Sequence, residues 1–194
     1  MRRTSPVAVA AALLLAGCGS GSSDSATNTE STPVPPAPTP SVAATSSIRV
    51  SVDAFTDGTT IPEDYTCRGA GKRPVVSWTG VPSGAASTAL AVTDPDAPTG
   101  EYIHWLVINL PAESSGRIPA GPVISPAVEE NNTSGAAGWK APCPPKGTGT
   151  HHYHFTVFAM NGTFPPGDSK SVVAVLRKDA VAQGEIVGLV AAAK

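Results

Sequence analysis

The sequence predicts a mainly β domain, a sheet-on-sheet core with short helices at its C-terminal end. Three observations predict it. Apolar runs between residues 48 and 160 are short and rich in Val, Ile and Thr, residues that pack well on a pleated surface. Gly, Pro or Asp bounds most of these runs, which is the punctuation of strands and turns. Only the stretch after Ser171 spaces its apolar residues as a helix does, so strands come first and helices last.

Taken in order, Ile48 to Val52 alternates apolar and polar residues, the pattern of a half-buried strand. Thr88 to Thr93 (TALAVT) and Tyr102 to Leu110 (YIHWLVINL) carry apolar side chains on both faces, which predicts central strands. His152 to Met160 (HYHFTVFAM) reads as another. Loops separate them at Val81–Gly84, at Asp94–Gly100 and from Asn131 to Thr150. From Ser171 to Ala193, Val172, Val175 and Leu176, then Ile186, Val187, Leu189 and Val190, predict two short helices with Gly184 between them.

The N-terminus carries an address. Arg2 and Arg3 precede ten small or apolar residues, Val7 to Ala16. That run is short of the roughly 20 residues a membrane span needs, and it suits the apolar region of a signal peptide. It ends in Leu15-Ala16-Gly17-Cys18, which looks like a bacterial lipobox with Cys18 as the acylated residue. Residues 1–17 are therefore expected to be a signal peptide, and the chain to be lipid-anchored at the cell membrane on its extracytoplasmic side. Residues 18–47, rich in Ser, Thr, Pro and Ala, have no apolar periodicity. They cannot bury enough surface to offset the entropy of ordering, and read as a tether. Residues 48–194 are expected to form one domain.

Charge and cysteine usage narrow the function. The chain holds 13 Lys and Arg against 15 Asp and Glu. Loss of Arg2 and Arg3 with the signal leaves 11 against 15, a net charge of −4. No basic block is present, which argues against a nucleic-acid partner. With Cys18 acylated, Cys67 and Cys143 remain, and in an oxidising compartment two such thiols most often pair. A bridge closing so long a loop contributes about 4.5 kcal/mol in the chain-entropy model. The alternative is two free, buried cysteines.

The four histidines fall in two segments, His104 in one predicted strand and His151, His152 and His154 at the start of another. Alternation puts His151, Tyr153 and Phe155 on one face and His152, His154 and Thr156 on the other. The same rule groups His104 with Leu106 and Ile108. No carboxylate or cysteine stands at ligand spacing beside these histidines, so neither a metal nor another cofactor is expected. The loop Asp94-Pro95-Asp96-Ala97-Pro98 holds two carboxylates on a backbone stiffened by proline. The Pro142-Cys143-Pro144-Pro145-Lys146-Gly147 segment is similarly rigid.

Together these segments resemble the phosphatidylethanolamine-binding protein family, also called the Raf kinase inhibitor protein family. The resemblance rests on Ile61-Pro62 with Tyr65-Thr66-Cys67, Trp78-Thr79-Gly80-Val81-Pro82, DPDAP at 94–98, HWLVINLP at 104–111, and Pro144-Pro145-Lys146-Gly147 followed by His151-His152-Tyr153. It implies an antiparallel β-sandwich with C-terminal helices and a small anion pocket at one end. Carried over by position, the pocket residues are Asp94, Asp96, Tyr102, His104, Pro144, His151 and Tyr153, and the Ala97–Pro98 bond is often cis in the family. This chain departs from the family's usual pattern at Trp139-Lys140-Ala141, where Tyr-x-Gly is common, and at Arg73, where Ser is common.

The chemistry of these residue types favours non-enzymatic binding of a small anion or a phosphate-bearing group, a lipid headgroup included. An imidazole N–H donates to phosphate or carboxylate oxygens, and glycine-rich backbone at 147–149 adds donors. The competing reading is a protein-interaction or inhibitor module acting on an envelope or host partner. An enzyme is disfavoured because no Ser or Cys sits in a nucleophile setting.

Overall fold

The computed structural model describes residues 48–123 and 125–194. The sequence-predicted signal peptide, Cys18 and the tether lie outside the described residues.

Two sheets form the frame. Strand β1 (Arg49–Val52) pairs with β3 (Val76–Thr79), and β3 with β6 (Ser115–Ile118), in a three-stranded sheet. The larger sheet runs in the order β2 (Thr59–Thr60), β9 (Ala182–Ala191), β8 (Thr150–Met160), β4 (Ser87–Asp94), β5 (Tyr102–Leu110) and β7 (Val128–Glu129). Its pairs are antiparallel except β2 against β9. One 11-residue helix, α1 (Ser169–Asp179), lies on the other face of the larger sheet. The chain is thus the mainly β antiparallel sandwich that its sequence predicts.

Burial explains why the central strands read as continuous apolar runs. Every residue of β4 is buried, because the sheet is covered on both sides. On one side Leu90, Val92, Trp105, Val107 and Phe155 meet Val76, Trp78 and Ile118 of the small sheet. On the other, Ala89, Ala91, Leu106 and Phe158 meet Val172, Val173 and Leu176 of α1. The small Ala89 and Ala91 side chains leave room for the helix to approach. Asp168 starts α1 by accepting the Ser171 N–H at 2.9 Å, which satisfies one of the free donors of the first turn.

The second expected C-terminal helix is instead strand β9. Ala182, Ile186, Gly188 and Val190 are its buried positions, all even-numbered, so the operative period is two. Pairing with β8 along its full length, from Ala182↔Ala159 to Ala191↔Thr150, outweighs the helix-like spacing of Ile186, Val187, Leu189 and Val190. Gly184 marks a close crossing rather than a helix break: Ile48 N–H donates to the Gln183 carbonyl at 3.2 Å, and a Cβ on Gly184 would run into the Ile48 carbonyl. Gly184→Ala is therefore expected to lower stability by about 1–3 kcal/mol through overpacking, read as a shift of the urea midpoint. An unchanged midpoint would contradict this crossing.

Candidate functional site

At one end of the sandwich, the start of β5, the start of β8 and the end of β4 converge with two loops around a cavity of about 360 Å³. Five of the residues singled out by sequence line it together: Asp94, Tyr102, His104, His151 and Tyr153. Asp96 and Pro144 are not among its lining residues. Asp96 turns outward to the half-exposed His152, accepting its Nδ1–H at 2.7 Å and its backbone N–H at 2.8 Å. Those two bonds hold the Asp96 carboxyl below its usual range. The proline loop contributes Cys143 and Pro145. The Ala97–Pro98 bond is not cis; among the described residues, Ser125–Pro126 is.

The position of His104 departs from simple alternation. Val92 pairs with Trp105 and Thr93 with Ile103, so His104 is the extra residue of a β-bulge. The bulge turns it away from Leu106 and Ile108, which pack towards α1. Its ring instead lies 5.1 Å from that of Tyr153 and 4.7 Å from that of Tyr102. One extra residue thereby brings an imidazole from β5 to the same end of the sandwich as His151.

The two histidines differ in what they have left to offer. Nδ1 of His151 lies 2.8 Å from Asp94 Oδ2, and Nε2 lies 2.8 Å from the Thr148 hydroxyl, which is itself 2.7 Å from the Pro145 carbonyl. His151 is fully buried, and both ring nitrogens already have partners in the chain. Asp94 is similarly engaged: its other oxygen accepts the Asp96 N–H at 2.9 Å. The Tyr153 phenol also sits beside it; burial first, and then the Asp94 charge, push that phenol well above its usual value. His151, Asp94 and Tyr153 thus form a closed polar floor.

His104 is open. Its Nδ1–H donates to the Lys140 carbonyl at 2.8 Å, while the Lys140 N–H donates to the His104 carbonyl at 2.8 Å. Nε2 has no hydrogen-bond partner among the described residues, and the ring lines the cavity. Burial lowers the His104 pKa, opposed by its bond to Lys140 and by the Asp94 charge. In the neutral ring Nδ1 holds the proton, so Nε2 is an acceptor; in the protonated ring it is a charged donor.

Lys140, which sequence reasoning placed only in a departure from the family pattern, also lines the cavity. Its loop is firmly held. Trp139 donates to the Gly71 carbonyl at 3.2 Å and meets Trp105 edge-on. Trp105 and Arg73 both donate to Glu129 Oε1, at 2.8 and 2.7 Å, and the Arg73 guanidinium stands 5.0 Å from the Trp105 ring. The Cys67–Cys143 disulfide ties the next turn of the loop to the small 3₁₀ segment Glu63–Tyr65 through Thr66. A broader depression of about 500 Å³ lies between Asn131–Gly135 and the start of α1. Its carboxylate, Asp168, is already engaged in capping the helix.

Comparisons with known proteins agree with this architecture. Residues 51–191 match the family model described as phosphatidylethanolamine-binding protein. A UPF0098 protein of Mycobacterium tuberculosis is 38% identical over 143 residues, covering 73% of this chain and 69% of its own. A protein of the same organism named as lipoprotein LppC is 40% identical over 126 residues, covering 64% of this chain and 62% of its own. Among solved structures, E. coli YbcL, described as a member of the mammalian PEBP family, superposes with a TM-score of 0.67 at 31% identity. That match covers 73% of this chain and 96% of YbcL. A PEBP homologue from Chlamydia trachomatis gives 0.66 at 31% identity, with 75% and 97% coverage.

Proposed function

This chain belongs to the phosphatidylethanolamine-binding protein family, and on that premise we propose that its domain binds a small anionic or phosphate-bearing ligand without chemical turnover. The observation that carries the reading is the open Nε2 of His104, facing a 360 Å³ cavity that has Lys140 among its lining residues. That volume lies in the range of small-molecule sites. Its wall is largely apolar, with Ala97, Pro98, Ala141 and Pro145 among its members, so an organic body attached to the anion is accommodated.

His151 and Asp94 keep their place in the site as its floor, where they fix Tyr153 and the proline loop, while His104 and Lys140 meet the ligand. We place the domain outside the cytoplasm on a lipid anchor at Cys18. The lipobox-like LAGC sequence, the likeness to LppC and the Cys67–Cys143 bridge support that placement.

The test is calorimetric titration of the mature protein with phenyl phosphate, wild type against His104→Asn. Loss of a hydrogen bond to a charged group is expected to weaken binding by about tenfold or more. Equal affinity in the two proteins would overturn the assignment of His104.

The pH dependence has a definite sign. Burial disfavours the charged ring, so His104 protonates only below about pH 6.5, the ordinary histidine value. An anion without a proton of its own, benzoate for instance, is expected to bind more tightly as pH falls below that point. Affinity independent of pH from about 5 to 8, well across the ordinary histidine value, would contradict a role for the imidazole.

A further inference from the structure

Resting on that reading, we propose that Lys140 is the charge anchor of the cavity and that, with His104 beside it, it makes the site select phosphate monoesters over phosphodiesters and carboxylates. Three observations carry this. Lys140 is the one Lys or Arg among the cavity's lining residues. No carboxylate lies within ion-pairing distance of it among the described residues, so its charge is free to meet a ligand. Its backbone is bonded on both sides to His104, so the ammonium is presented from the residue that also fixes the imidazole.

The groups around His104 set its polarity. Asp94 faces it from β4, His151 and Tyr153 from β8, Tyr102 from its own strand, and Lys140 from the loop. Asp94 is engaged by His151 and the Asp96 N–H, so each of its oxygens already accepts a hydrogen bond from within the chain. What remains open is one cationic donor at Lys140 and one neutral acceptor at His104 Nε2.

A phosphate monoester near its second ionisation, about pH 6, carries anionic oxygens and a P–OH on the same phosphorus. The anionic oxygens suit the ammonium, and the P–OH donates to Nε2. A phosphodiester or a carboxylate in the same pH range has no proton to give. To fill Nε2 it must first protonate a buried imidazole.

The experiment compares three probes on the mature protein at about pH 6, the region of the monoester's second ionisation: phenyl phosphate, its methyl ester (a diester) and benzoate. Phenyl phosphate is expected to bind about tenfold more tightly than the other two, the difference of one good hydrogen bond. Lys140→Met is expected to cut phenyl phosphate affinity by about tenfold, and Lys140→Arg to retain most of it, since charge rather than shape is at issue. Lys140 is exposed, so both variants are expected to fold as the wild type does. Dihexanoyl phosphatidic acid and glycerol phosphate, used as competitors, separate a lipid source of the monoester from a soluble one, and displacement by either supports the assignment. A diester that binds as tightly as the monoester, or an unchanged affinity in Lys140→Met, overturns the monoester proposal while leaving anion binding intact. Binding by none of the three probes overturns the anion-binding reading itself.

Discussion

Replacement of Asp94 by alanine is expected to destabilise the domain by about 3–5 kcal/mol, the cost of leaving the buried donors around it without their carboxylate partner. The carboxylate is 3% exposed and takes Nδ1 of a fully buried His151 at 2.8 Å and the Asp96 N–H at 2.9 Å. Without it the Nδ1 side of the imidazole, the Asp96 amide and the Tyr153 phenol all lose their carboxylate partner at the junction of β4 and β8. Urea denaturation, comparing midpoint and slope, measures the effect. A loss below about 1 kcal/mol would show that the pair contributes little beyond shape, as surface ion pairs do. Asp96→Ala makes a useful contrast. Its carboxylate pairs with a half-exposed His152, so the expected loss is within about 1 kcal/mol.

Removal of the disulfide is the second large effect. Cys67 and Cys143 are 76 residues apart in sequence, and opening that loop in the unfolded chain is expected to cost about 4.5 kcal/mol. For a domain of this size the double variant Cys67→Ser, Cys143→Ser should melt roughly 10–15 °C lower. The effect reaches the site as well. Cys143 lies on the cavity wall, and Cys67 N–H donates to the Pro142 carbonyl at 2.9 Å, so the bridge clamps the loop that carries Pro145. Weaker ligand binding in the double variant than in wild type, at a temperature where both are folded, is the expected companion result. A melting point within about 2 °C of wild type would contradict a stabilising bridge.

Much of this architecture is legible in the sequence, for identifiable reasons. Strands β4 and β5 announce themselves because both faces are covered, and apolar residues on both faces are hard to misread. The convergence of Asp94, His104, His151, Tyr102 and Tyr153 follows from motifs in the right order along the chain. Three things were not legible. The apolar spacing of Ile186, Val187, Leu189 and Val190 fits a helix as well as a strand, and only the pairing partner β8 decides between them. The bulge at His104 leaves no mark in YIHWLVINL, where either face tolerates an apolar residue, so counting by twos put the imidazole on the wrong side. The separation of Asp96 from Asp94 is equally silent in the motif, where one carboxylate of Asp-Pro-Asp is buried against His151 and the other turns out to the half-exposed His152. Lys140 left a faint signal, a cation where the surrounding motif departs from its family, but its approach to the cavity depends on the paired backbone bonds to His104.

The division of labour between the two buried histidines is the claim from which the functional account follows. Long-range ¹H–¹⁵N imidazole spectra of the mature protein, recorded with and without phenyl phosphate at neutral pH, test it directly. The expected result is a large shift of His104 Nε2 on addition of ligand, with its Nδ1 remaining protonated and both nitrogens of His151 nearly unmoved. Movement of the His151 nitrogens while those of His104 stay in place would contradict it.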